Sequence, residues 1–228
     1  MIVAALGGGI LTGNRPASPL ASASPAPQAS AQPVVMGSLS IGTYAPREFE
    51  PPFTFQVTDA GWAAHRDTPG LLGLLREAPP LGSLYVARVD EVIANPCIQG
   101  GEGATGPAKL DVIAELRALG HLEVAQPEAT TVGRLPATQV DVTVADAALA
   151  ACGGLVGATD VAVLLAGDEV WSASPGERFR LISVTVGGED VTILLSLDWS
   201  QPHSVPQLEN LFQLGSHIVE SIDFGQQP

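Results

Sequence analysis

The stretch FRLISVTVGGEDVTILLSL, residues 179–197, decides how this chain folds. Phe179 to Val186 is a strand-like run rich in apolar and β-branched residues, and Val191 to Leu197 is another. Gly187-Gly188-Glu189-Asp190 lies between them as a tight turn. Two such runs joined across paired glycines predict an antiparallel hairpin. Working outward, Thr130-Thr131-Val132, Thr138 to Val144 and Val161 to Leu165 read as further strands. So do Leu39 to Tyr44, Phe53 to Val57 and Leu84 to Val89, with a short apolar run at Leu71 to Leu75. Phe53 to Val57 ends in a turn at Asp59-Ala60-Gly61, directly before Trp62.

Helical spacing occurs twice. Leu110, Ile113, Leu116 and Leu119 lie on one face, with Pro107 placed for a first turn. Near the end, Leu208, Leu211, Phe212, Gly215, Ile218, Val219 and Ile222 fall at i, i+3, i+4 spacing, and Ser204-x-x-Gln207 supplies a capping box. Strands joined by short turns with two helices predict an α+β fold, an antiparallel sheet covered by those two main helices.

Ahead of this body, residues 1–13 are apolar but too short to span a bilayer, which takes about 20 residues. They are expected to be a signal or anchor remnant. Residues 14–37, rich in Pro, Ala and Ser, cannot bury enough apolar surface to offset their ordering entropy and are expected to be a disordered linker. Residues 38–228 are then a single globular domain. An apolar segment and a leash before a folded body point to an extracytoplasmic, secreted or membrane-anchored bacterial protein, tethered through its N-terminus.

The 228 residues carry 24 Asp+Glu against ten Lys+Arg, a formal net charge of -14, and Lys109 is the only lysine. A field of that sign repels phosphate backbones and argues against nucleic acid as a partner. Residues 101–106 spell G-E-G-A-T-G, a literal G-x-G-x-x-G. In a dinucleotide fold the motif follows its strand at once, inside a parallel βαβ unit. Here Asn95-Pro96-Cys97-Ile98-Gln99 intervenes, Glu102 adds a negative charge, and Pro107 stands where a P-loop has its lysine. No cofactor is expected.

Cys97 and Cys152 are the two cysteines, and an even count in an exported chain predicts one disulfide between them. With His65, His121, His203 and His217 they do not make a zinc spacing, and there is no G-x-S-x-G elbow and no calcium loop. No catalytic, cofactor-binding or metal residues are therefore assigned. Trp62, Trp171 and Trp199 are candidates for a ligand cleft, since a ring offers a large apolar face and a polar N–H.

The segment Gly42-Thr43-Tyr44, Phe49, Pro51-Pro52-Phe53-Thr54-Phe55, Val57 and Gly61-Trp62, together with Ile218-Val219-Glu220-Ser221-Ile222-Asp223-Phe224, resembles exported bacterial domains of the PsbP-like superfamily. There a strand pair ends in Gly-Trp and the chain ends in a helix followed by S-I-x-F. The resemblance covers roughly residues 38–225. It implies an antiparallel sheet sandwiched by helices, used as a binding or accessory module without a catalytic set. The expected function is an exported, tethered, non-enzymatic domain that binds a protein or a small ligand. The alternatives are a hydrolase using polar residues around Asp198 and His203, and a structural cell-envelope protein.

Overall fold

The computed structural model describes residues 30–95, 110–148, 160–197 and 204–225. In chain order the first strands are β1 (Gln32–Pro33), β2 (Gly37–Ser38), β3 (Gly42–Ala45), β4 (Phe55–Val57), β5 (Trp62–Thr68), β6 (Leu71–Arg76), β7 (Gly82–Ala87) and β8 (Glu91–Val92). Helix α1 (Val112–Ala118) precedes β9 (Leu122–Val124), β10 (Glu128–Val132) and β11 (Leu135–Val144). Then come β12 (Val161–Ala166), β13 (Glu169–Ala173), β14 (Arg178–Val186), β15 (Glu189–Leu197) and helix α2 (Val205–Ser221).

The hairpin read from residues 179–197 is the centre of the molecule. β14 and β15 pair antiparallel from Phe179↔Ser196 to Val186↔Glu189. Gly187 and Gly188 both take positive φ, as a two-residue turn matched to strand twist requires. The hairpin sits in a nine-stranded sheet of order β10-β11-β14-β15-β7-β6-β5-β2, with β9 also paired to β11.

The expected α+β architecture with two main covering helices is corrected here. Fifteen strands and two helices among the described residues make the molecule sheet-dominated. α1 has only seven residues, too few to cover a sheet this wide, and it is capped by Asp111, which accepts from the Ala114 N–H. Two small three-stranded sheets, β1-β3-β4 and β13-β12-β8, do much of the covering instead. On one face, α2 and the β1-β3-β4 sheet bury Phe55, Trp62, Leu74, Leu84, Ile193 and Leu195. On the other, α1 and β12–β13 bury Val142, Phe179, Leu181 and Leu194. The helix sandwich implied by the PsbP-like resemblance is thus not the arrangement found.

α2 matches its sequence pattern. Gln207 Oε1 accepts from the Ser204 N–H at 2.8 Å, closing the capping box, and Leu208, Leu211, Phe212, Ile218 and Val219 are buried. The end of the stretch read as linker joins the fold: β1 pairs with Tyr44 and Ala45, and Val34 is buried in the core.

Candidate functional site

Pairing registers place three rows of side chains on the sheet face beneath β12 and β13. Leu71, Ala87 and Thr192 form one row; Gly73, Tyr85 and Leu194 the next; Leu75, Ser83 and Ser196 the third. Directly paired residues share a face, so these rows are the floor of the space between the sheets. Leu164, Ala166, Glu169, Val170 and Trp171 make the roof. Floor and roof enclose a cavity of about 210 Å³. A second cavity of about 440 Å³ adjoins it, reaching Glu177, Ser196 and Ser83. Tyr85, Trp171 and Ser172 line both, so the two form one cleft with an aromatic waist.

Neighbours hold the aromatic side chains. Trp171 meets Phe179 edge-on, with centroids 4.6 Å apart. Tyr85 meets His65 in the same manner at 5.6 Å. His65 reaches this position because a β-bulge interrupts the β5–β6 register between Ala64 and Arg66. Arg66 pairs with Glu169 of the roof.

At the far end Glu177 is a buried carboxylate. Its Oε2 accepts from the Ser174 N–H at 2.8 Å, and its Oε1 accepts from the Ser196 hydroxyl. Burying a carboxylate is costly unless hydrogen bonds compensate it, and these two contribute to that.

Burial raises the Tyr85 pKa, and the nearby Glu169 charge raises it further, so its hydroxyl keeps its proton. Burial lowers the His65 pKa, with Arg66 adding to the effect against Glu169. Burial also lowers that of His121, whose Nε2 is buried without a hydrogen-bond partner. Both imidazoles are therefore held neutral. The unfolded chain binds more protons than the folded one in this range, so the contribution is intact above the ordinary histidine value of about 6.5 and is lost as pH falls. The gap in melting temperature between wild type and a His65→Gln/His121→Gln variant is expected to move in the variant's favour from about pH 7.5 to about pH 5. A gap independent of pH would show that these imidazoles are not held neutral.

A wider concavity of about 700 Å³ lies beside α1, lined by Asp111, Arg117, Thr138, Thr185 and Asp190. Its polar groups are surface residues, and it offers neither an aromatic wall nor a buried charge. The site is therefore assigned to the inter-sheet cleft.

Of the tryptophans singled out in the sequence, Trp171 lines this cleft. Trp62 does not share it: Trp62 is buried on the opposite face of the sheet, with the Arg76 guanidinium 5.7 Å from its ring centroid. Trp199, Asp198, His203, Cys97, Cys152 and the glycine loop at 101–106 lie outside the described residues. Among the described residues, no three His, Cys, Asp or Glu side chains gather into a metal-binding group, and no helix is long and apolar enough to cross a membrane. Sequence reasoning missed Tyr85, His65, Glu169, Glu177 and Ser196. Only Tyr85 carried a signal, since it alternates with Leu84 and Val86 and so faces away from them.

No protein-family model matches the chain, and no curated protein matches it in sequence.

Proposed function

We propose that this chain is a binding or accessory domain, carried outside the cytoplasm on its N-terminal leash, with the inter-sheet cleft as its ligand site. The observation that carries this reading is the meeting of two cavities at Tyr85 and Trp171, each lined by both polar and apolar side chains. Leu71, Ala87, Leu164 and Ala166 suit an apolar body, while Ser83, Ser196 and Glu177 suit a polar head. The apolar residues 1–13 and the Pro/Ala/Ser run after them support export.

A thermal-shift screen of metabolites, lipids and peptides tests the reading. A ligand present at about 100 times its Kd adds about 2.7 kcal/mol to stability, roughly 5–10 °C for a domain of this size. The shift is expected to shrink by more than half in Trp171→Ala and Tyr85→Ala, each compared with its own unliganded melting point. A hit that stabilises both variants as much as wild type would place binding elsewhere and overturn the assignment.

A further inference from the structure

Resting on that assignment of the cleft, we infer that its ligand is an uncharged saccharide, stacked on Trp171 and Tyr85 and hydrogen-bonded to the hydroxyls of the sheet floor. The charged side chains that line the two cavities, Glu169, Glu177, Arg76 and Glu77, already have partners on the protein or face water. Arg66 pairs with Glu169. Glu177 accepts from the Ser174 N–H and the Ser196 hydroxyl, and these are not its only interactions. The Arg76 guanidinium lies over the Trp62 ring, on the opposite face of the sheet, and donates to the Ala60 carbonyl at 3.1 Å. Glu77 stands at the exposed rim, 3.4 Å from the Ser38 hydroxyl. His65, against Tyr85, is held neutral by its burial. An entering cation finds the carboxylates engaged, and an anion meets Glu169 and Glu177 as like charges. An uncharged ligand disturbs none of these arrangements.

Within the cleft, polar and apolar groups stand side by side. Each floor row sets a hydroxyl among aliphatic side chains: Thr192 beside Ala87, Tyr85 beside Leu194, Ser83 and Ser196 beside Leu75. Ser83 and Tyr85 are two residues apart on β7, a step of about 7 Å along the strand. On the roof Ser172 follows Trp171, and both line each cavity. A saccharide carries the same interleaving, with C–H groups on its ring faces and hydroxyls around its edge. The C–H groups, weakly positive, suit the negative face of an aromatic ring. Each sugar hydroxyl donates once and accepts twice, as do the serine and threonine hydroxyls around it. Ser83 bonds to the Tyr85 hydroxyl, which leaves that pair one proton to donate outward and acceptor positions on both oxygens. A wholly apolar ligand of the same shape would strip water from these hydroxyls and return no hydrogen bond. The joined volumes, about 210 and 440 Å³, fall in the usual range for a small-molecule site, and disaccharides are the apt probes.

Calorimetric titration of the full chain tests this with three uncharged disaccharides: cellobiose, maltose and di-N-acetylchitobiose. Fully deacetylated chitobiose serves as the matched cation, digalacturonate as an anionic disaccharide, and benzyl alcohol as an uncharged apolar ring. At least one uncharged disaccharide is expected to bind at about 1 mM or tighter, and about tenfold tighter than any of the other three probes. Its affinity is expected to fall at least about tenfold in Trp171→Ala and in Tyr85→Ala, and to return to within about threefold of wild type in Trp171→Phe, which restores a ring face. Ser83→Ala, which removes one floor hydroxyl, is expected to weaken it about fivefold and leave benzyl alcohol unchanged. Circular dichroism of each variant checks that it is folded. Tighter binding of the cation, the anion or benzyl alcohol, removed by Trp171→Ala, would overturn the saccharide class and leave the cleft as the site. Disaccharide binding unaltered in both Trp171→Ala and Tyr85→Ala would overturn the class and the site together. No binding of any of the three disaccharides would overturn the saccharide class, and the broader screen above would then decide the site.

Discussion

Gly133→Ala is expected to lower the melting temperature of this protein by roughly 6–12 °C, the equivalent of about 3 kcal/mol. Gly133 sits in the turn between β10 and β11 with φ of +56°, a left-handed conformation that costs any residue bearing a Cβ. The added methyl would also land on the Ile222 carbonyl oxygen, well inside contact distance. That oxygen belongs to backbone at the end of α2 and cannot swing aside as a side chain can. The turn is fastened there by its own N–H, which donates to the Val219 carbonyl at 3.3 Å, and by the Arg134–Asp223 ion pair. Relieving the clash means lifting the hairpin off the helix. Differential scanning calorimetry measures the loss. An unchanged melting temperature would show that the β10–β11 turn does not rest on α2.

Phe55→Ala is expected to cost about 3–5 kcal/mol, the range for truncating a fully buried aromatic residue. Phe55 is 0% exposed. Its ring lies 5.8 Å from Tyr44 and 6.1 Å from Phe53, and Phe53 in turn packs 5.4 Å from Phe224. Thr54 and Asp223 exchange backbone hydrogen bonds, which ties the same strand to the end of the chain. The small β1-β3-β4 sheet is thus part of the common core. The variant should show one cooperative transition shifted downward. An early transition beside an unmoved main one would mean that this sheet is an appendage. Ile41→Ala is the control: Ile41 is 66% exposed, and its truncation should stay within about 0.5 kcal/mol.

How much of this was legible in the sequence depended on the range of the interactions involved. The β14–β15 hairpin and α2 declared themselves because a paired-glycine turn, a capping box and a helical apolar period are all local signals. The grouping of strands into three sheets was not legible. Val161–Ala166 has a strand's composition wherever it pairs, and its partner β8 lies some seventy residues upstream, through Leu164↔Val92 and Leu165↔Glu91. The helical spacing from Leu110 to Leu119 overstated α1, which stops at Ala118 and starts only at Val112. That error made helices look sufficient to cover the sheet.

The site followed the same rule. Trp171 stood out by residue type, but nothing local told it apart from Trp62, which the sheet buries on its other side. Tyr85 was hidden inside a run that reads as core. Glu177 follows Ser174-Pro175-Gly176 and reads as an ordinary acidic turn residue. In the folded chain it is a buried carboxylate, and the register Phe179↔Ser196 brings the Ser196 hydroxyl within its reach.

The claim on which the functional reading stands is that a ligand enters between the nine-stranded sheet and the small sheet above it. Amide hydrogen exchange, with and without a compound that raises the melting temperature, tests it most directly. Added protection is expected in Gly82–Ala87, Glu169–Ala173 and Glu189–Leu197, the strands that bring Tyr85, Trp171 and Ser196 together. Protection confined to α1 and β11, beside the open concavity, with those three strands unchanged, would contradict it.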